Sequence, residues 1–252
     1  MIDLHTHILP GIDDGAATLA ESRAIAERAV VDGITAVAAT PHVRDDYPTT
    51  PAEMESRVAT LREDFAQKGI PLEVHFGGEL DLGALGGLTP DDLRRFSLAQ
   101  TGRYVLVEFP YRGWPLGLER IAFELRAAGL TCLLAHPERN PEVKAAPERL
   151  EPLVRSGTLV QVTAASLDGR LGRATQQAAK RLFELRLAHV LASDAHSPAL
   201  REMGLADAVA TLDDHGLATF LTEDAPAAIL EGAELDPPPP ATGPRRKRFG
   251  LF

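Results

Sequence analysis

The chain has 252 residues, 44% hydrophobic and 25% charged, with a formal net charge of −10. This length and balance suit one large globular domain with a sizeable core, and the acidic body excludes a protein that tracks nucleic-acid phosphates. No run approaches the ~20 apolar residues of a membrane helix, the strand-like run after Met1 is not expected to be a signal peptide, and the lone Cys132 leaves no internal disulfide or thiolate zinc cluster; the expected setting is cytoplasmic.

Seven short, almost continuously apolar runs follow one another along the chain. They are Ile2 to His5, Ile34 to Thr40, Leu72 to Gly77, Tyr104 to Phe109, Thr131 to Ala135, Leu159 to Thr163 and His189 to Ser193. Such runs read as strands buried on both faces. The stretches between them open like helices: Thr18 with Glu21, and Thr50 with Pro51 and Glu53, fit capping boxes. Gly33, Gly69, Gly129 and Gly157 stand where helices should stop. Strand, loop and helix repeated about seven times predict an α/β fold whose parallel sheet closes into a (β/α) barrel. In such barrels the chemistry sits at the C-terminal ends of the strands. No linker interrupts the chain before about Asp236, so residues 1–236 are expected to form one domain. Pro237 to Pro240 then read as an extended spacer, leading into a mobile tail, residues 237–252, with a basic run of Arg245, Arg246, Lys247 and Arg248.

Strong ligands follow the strands. Strand one ends in His5, Thr6 and His7, with Asp13 and Asp14 in its loop, and strand two ends in Thr40, Pro41 and His42. Strand three runs into Gly77, Gly78 and Glu79, strand four ends in Glu108, and strand five leads to His136, Pro137, Glu138 and Arg139. Strand seven leads to Asp194 and His196, while strand six, ending in QVTAAS, lacks a strong ligand. Each residue alone has an ordinary explanation: a core His-x-His, a solvated Glu79, or a Glu108 paired with an arginine. Those explanations would have to be independent, yet the placement recurs at strand ends in six of seven units. Mixed imidazole and carboxylate donors suit Mn, Fe or Zn better than Mg or Ca. Nine such ligands, some bridging, suit two or three ions. Arg139 and Arg201 flank this rim, where guanidinium forks match a phosphate or carboxylate. His75, His189 and His215 are left to packing or the surface.

These residues resemble the PHP (polymerase and histidinol phosphatase) superfamily of metal-dependent phosphoesterases. Within it they resemble the bacterial protein tyrosine phosphatases linked to capsule and exopolysaccharide synthesis. The motifs span essentially the whole chain: MIDLHTHILPGIDDG, ATPH from Ala39, VEFP from Val107, AHPERN from Ala135, GRLGR from Gly169 and ASDAH from Ala192, with RRKRFGLF at the end. The resemblance implies a distorted (β/α)7 barrel holding three divalent ions, usually manganese. It implies one ion on His5, His7, Glu79 and Asp194, a second on Glu79, Glu108 and His136, and a third on Asp14, His42 and His196. Arg139 and Arg201 would bind phosphate. Ser197 and Pro198 depart from the Asn that close relatives often carry after the histidine. The implied reaction is hydrolysis of phosphotyrosine by a metal-bridging hydroxide, with a phosphoprotein such as a bacterial tyrosine kinase as partner.

Other readings stay open on the residues. Histidinol phosphate or another small phosphomonoester would suit the same site. An amidohydrolase also begins with His-x-His; Glu108 is compatible with it, whereas Asp194 and His196 together favour a phosphoesterase. A thiol-type phosphatase needs C-x5-R, but Glu138 stands six residues after Cys132 and Arg139 one further, within a cysteine environment, TCLLA, that reads as core. From a different class, the basic, aromatic-ended tail would suit a module docking on a kinase or on anionic lipid at the inner membrane face. The loops after Pro110 and around Asp45 to Thr49 are expected to border the substrate.

Overall fold

The computed structural model describes residues 1–198 and 204–239. Arg201 and the basic tail lie outside the described residues.

The described residues contain ten strands: β1 Ile2–Thr6, β2 Ala36–Ala39, β3 His42–Arg44, β4 Tyr47–Pro48, β5 Glu73–His75, β6 Glu79–Asp81, β7 Tyr104–Glu108, β8 Thr131–Ala135, β9 Leu159–Thr163 and β10 Val190–Ala192. All seven expected runs contribute one strand each, but after the second and third the chain breaks and starts a further short strand, β3 and β6, beyond the end of the expected run. The breaks fall at Pro41, which has no N–H to give a ladder, and at Gly77 and Gly78. A Cβ on Gly77 would meet Thr40 Cγ2 at 3.0 Å, and one on Gly78 would meet Phe96 Cδ1 at 2.7 Å. The chain turns there because no side chain stands in the way.

The breaks divide the hydrogen bonding into two ladders instead of the single closed one expected. One is β1-β2-β5, all parallel; the other runs β10-β9-β8-β7-β6-β3-β4, parallel except for the β3–β4 pair. The ladders approach where Thr6 bridges Ala195, the His7 N–H donates to Ala195 O at 2.9 Å and the Asp194 N–H donates to His5 O at 2.9 Å. The swivel after β2 and β5 places His42 directly across from Glu79. The fold is thus α/β around parallel strands, with the strand ends expected to carry chemistry gathered together.

Helices cover the strands. In Pro51–Lys68, Met54, Val58, Leu61 and Phe65 recur on one buried face, the spacing of an amphipathic helix; each such side chain contributes about 1.5–3 kcal/mol on burial. Thr18 and Thr50 accept the N–H groups of Glu21 and Glu53, each at 3.2 Å. The return half of the first box is displaced, since the Glu21 carboxylate takes the Ala17 N–H instead. A reciprocal box forms at Thr89 and Asp92, where none was expected. Gly33, Gly69, Gly129 and Gly157 all take positive φ at the expected stops. Every residue of β7 and of β9 is buried. Among the described residues no helix is long and apolar enough to cross a membrane.

Candidate metal centre

The strand ends bring all nine expected ligands together in four overlapping groups. The groups are His7, Asp14, His42 and His196; His5, Glu79 and His136; His5, His7 and Asp194; and His42, Glu79 and Glu108. Glu79 stands in the middle. Its Oε1 lies 2.9 Å from His136 Nε2, and its Oε2 lies 3.4 Å from His5 Nε2, 3.4 Å from His7 Nε2 and 2.9 Å from His42 Nδ1. Asp194 Oδ1 is 3.3 Å from His5 Nε2 and 3.4 Å from His7 Nε2. Toward solvent, Asp14 Oδ1 lies 3.4 Å from the Nε2 atoms of both His42 and His196. The grouping differs in detail from the one the resemblance implies: His136 stands with His5, and Glu108 with His42, and Glu79 is the member common to both groups.

Ligand bonds of ~2.1 Å meeting at right or tetrahedral angles put donor atoms about 3.0–3.4 Å apart. The separations in the cluster are of that kind. Hydrogen bonding does not account for them all, since Glu79 Oε2 and His42 Nδ1, 2.9 Å apart and both buried, are not aligned for a hydrogen bond with each other or with any other group. Leaving such atoms unpaired costs about 1–3 kcal/mol each. The donor set therefore fits divalent cations.

The electrostatics agree. Burial opposes charge on His5 and His7, yet the facing carboxylates, joined for His7 by Asp13, lift both above the ordinary imidazole value. Burial likewise opposes charge on Glu79 and Asp194, but the histidines, and Arg139 beside Asp194, hold both well below the usual carboxylate range. Glu108 is pushed up, first by burial and then by Glu79. The centre demands positive charge, which protons or metal ions can supply.

A second layer aims the ligands. His5 Nδ1 lies 3.1 Å from Gln161 Oε1, and the same oxygen accepts the His136 N–H at 3.2 Å. His7 Nδ1 lies 2.8 Å from Asp13 Oδ2, which also accepts the His42 N–H at 3.0 Å. With protons on those Nδ1 atoms, the Nε2 lone pairs face the centre. Gln161 escaped the sequence reading, which found nothing on strand six; its one signal was a polar side chain inside a fully apolar run. His136 and Asp194 adopt φ of 39° and 54°, left-handed conformations that cost non-glycine residues about 1–3 kcal/mol. The His136 N–H bond to Gln161 O, at 3.0 Å, and the Asp194 N–H bond to His5 O hold these turns.

Asp13 and Asp14 have separate positions. The Asp13 side chain is fully buried and bonded to His7, whereas the Asp14 side chain is 43% exposed and faces His42 and His196. The next residue must be glycine, because a Cβ on Gly15 would run into the His7 carbonyl. Asp13→Ala should weaken metal affinity about 10- to 100-fold, the usual effect of losing a carboxylate behind a ligand histidine, and should lower the melting temperature. Asp14→Ala should leave the melting temperature of the metal-free protein near wild type while lowering the amount of metal bound. Metal titration and thermal melts on the two variants check the contrast.

At the rim, Arg139 Nη2 lies 2.5 Å from Asp194 Oδ2 and donates to Thr163 Oγ1 at 2.8 Å, while Nη1 donates to the Tyr111 hydroxyl at 3.2 Å. Arg44 reaches Glu108 and Asp14 from β3. Tyr111 stacks on His136 at 5.5 Å and Tyr47 on His42 at 5.8 Å. Both tyrosines lie in the loops expected to border the substrate, although the sequence singled out neither, nor Arg44. Cys132 is 3% exposed in β8 and burial pushes its thiol up to about 12, the state of an inert core cysteine. His189 is buried, held down to about 4 by that burial, and accepts the Val160 N–H. It packs, as expected.

Comparison with known proteins agrees with this geometry. The family described as capsular polysaccharide synthesis, CpsB/CapC, matches residues 1–228. The tyrosine-protein phosphatase YwqE of Bacillus subtilis is 36% identical over 258 aligned positions that take in 100% of both chains. A solved structure, from crystals of YwqE from Bacillus subtilis and CpsB from Streptococcus pneumoniae, described as unique metal-dependent tyrosine phosphatases, superposes with a TM-score of 0.86 at 33% identity, covering 96% of this chain and 99% of the other. A probable 2-pyrone-4,6-dicarboxylic acid hydrolase of Acinetobacter baumannii, 16% identical with a TM-score of 0.56 over 91% of this chain and 98% of its own, shares the fold alone. The match over nearly the whole chain, with a relative of this identity, establishes that the protein belongs to the CpsB/CapC family of capsular polysaccharide synthesis.

Proposed function

We propose that this chain is a metal-dependent protein tyrosine phosphatase whose substrate is a phosphotyrosine protein, a bacterial tyrosine kinase of capsule or exopolysaccharide synthesis. The observation that carries the reading is the convergence of nine imidazole and carboxylate side chains on Glu79, with the Arg139 guanidinium at their edge. The name of the Bacillus subtilis relative and the metal dependence described for the solved structures support it.

Three divalent ions, manganese foremost, would be held by His5, His7, Asp14, His42, Glu79, Glu108, His136, Asp194 and His196. Bound there, they would supply Lewis acidity and a water acidified toward neutral pH. The chain's own residues do the remaining work. Gln161 and Asp13 hold His5 and His7 in the ligating tautomer. Arg139, kept cationic beside Asp194, presents N–H donors to the phosphoryl oxygens and offsets charge as the phosphate–tyrosine bond breaks. A tyrosyl phenolate, with a conjugate-acid pKa near ~10, is a fair leaving group, so no strong general acid is required. Arg201 is assigned the same phosphate role by its motif. The two ladders read as arcs of a distorted (β/α)7 barrel, supported by the Thr6–Ala195 bridge. Residues 1–236 form the catalytic unit, and 237–252 a tail that would touch a partner or the inner membrane face of the cytoplasm.

The test is metal analysis of the purified protein combined with turnover of a phosphotyrosine peptide and of histidinol phosphate, before and after chelation. Manganese should restore peptide hydrolysis in the chelated protein, and Cys132→Ser should keep activity within about twofold of wild type. Activity that survives exhaustive chelation yet is lost in Cys132→Ser overturns the reading, and preference for histidinol phosphate moves it to the small-molecule alternative.

A further inference from the structure

We infer that Arg44 is a second phosphate-binding guanidinium, serving the His42 side of the centre as Arg139 serves the Asp194 side; this rests on the phosphatase reading above.

Arg44 closes β3, two residues after His42, so the strand alternation points both side chains toward the same region. Its Nη1 lies 3.5 Å from each oxygen of Glu108, and its Nη2 lies 3.9 Å from Asp14 Oδ2. Glu108 and Asp14 belong to different ligand groups that share His42, so one fork spans two groups. These contacts are long, since charge-assisted N–H to carboxylate bonds close to about 2.7–2.9 Å. The tight contact is elsewhere: Nε lies 2.8 Å from Asp46 Oδ1, on a side chain that is 68% exposed. The guanidinium carbon stands 5.1 Å from the centre of the Tyr47 ring, and that ring stacks on His42. Asp46 and Tyr47 thus fix the stem and plane of the guanidinium, while its two terminal nitrogens hover beside ligand carboxylates without closing on them.

A structural counter-ion would be expected to chelate Glu108 and to be buried with it. Arg44 touches both Glu108 oxygens only at 3.5 Å through a single nitrogen, and 24% of its side chain is open to solvent against 6% for Glu108. Once the Glu108 and Asp14 charges are taken up by cations, those terminal N–H groups have no better acceptor than an incoming anion with several oxygens. A phosphoryl group has that shape and charge, and a guanidinium matches it with two parallel bonds. Arg44 and Arg139 would then grip the phosphate from two different ligand groups.

The experiment uses the full chain loaded with manganese, as wild type, Arg44→Gln and Arg44→Lys. Manganese per chain is measured by elemental analysis, inorganic phosphate affinity by calorimetry, and KM and kcat on a phosphotyrosine peptide. Arg44→Gln should keep its manganese while phosphate dissociation constant and KM rise about 10- to 100-fold, the loss of a charged hydrogen-bond pair. Arg44→Lys should fall between, because an ammonium keeps the charge without the fork, and it decides the matter if the Gln variant does not fold. Phosphate affinity unchanged in both variants, or manganese lost from them with unchanged phosphate affinity at the sites still loaded, overturns the inference and leaves Arg44 a counter-ion. If wild type binds phosphate but does not turn over the peptide, the phosphatase reading fails while the calorimetry still decides Arg44.

Discussion

Glu79→Gln should empty the metal centre. The substitution keeps the shape of the side chain and removes the charge that four histidines face: His136 on one oxygen, and His5, His7 and His42 on the other. An amide would offer one neutral oxygen and turn an N–H2 group toward nitrogens that need an acceptor or a cation. The two ligand groups that contain Glu79 lose their shared member together. Lewis-acid stabilisation of a phosphoryl transition state amounts to several kcal/mol, so kcat/KM on a phosphotyrosine peptide should fall by about 10³-fold or more. Elemental analysis should show most of the metal gone while circular dichroism stays native. A variant that holds its full complement of metal and keeps a tenth of wild-type activity would show that Glu79 is not the hub.

Arg139→Ala should separate chemistry from metal binding. Arg139 touches a ligand carboxylate through Asp194, is braced by Thr163 and Tyr111, and leaves its buried Nε without a partner. On the proposed reading, that is a cation held in place for the phosphoryl group. Removing one donor aimed at transition-state charge costs about 10²–10³-fold in rate, and that loss is expected in kcat/KM here with metal content nearly unchanged. Arg139→Lys should recover only part of it, because an ammonium cannot bond Asp194, Thr163 and a phosphoryl oxygen in one plane. If metal content drops in step with activity in Arg139→Ala, the residue holds Asp194 and does not act on phosphate.

Much of this site was legible because its signals are local. A histidine or carboxylate at the end of an apolar run marks a strand terminus whatever that strand pairs with, so the nine ligand candidates could be read one unit at a time. The helix caps at Thr18 and Thr50 and the glycine stops were legible for the same reason, since each depends on neighbours within a few residues. The residues that escaped act across the fold. Gln161 matters because β9 lies beside β8, which puts one amide oxygen next to both His5 and the His136 backbone. Arg44 matters because β3 pairs with β6, and β6 with β7, carrying it to Glu108. Nothing within a few residues of either announces that contact.

The sequence alone determined the α/β class of fold, a set of candidate donors and the core position of Cys132, because alternation of apolar runs, residue chemistry and the surroundings of a single cysteine are properties of short segments. The tertiary structure alone decided which donors share a site and in which order the strands pair. It started new short strands after Pro41 and after Gly77 and Gly78, and that swivel put His42 across from Glu79. It also separated two adjacent aspartates, burying Asp13 behind His7 and leaving Asp14 at the solvent edge. Such choices depend on backbone hydrogen bonds and steric clearances between segments far apart in the chain, which no local pattern encodes.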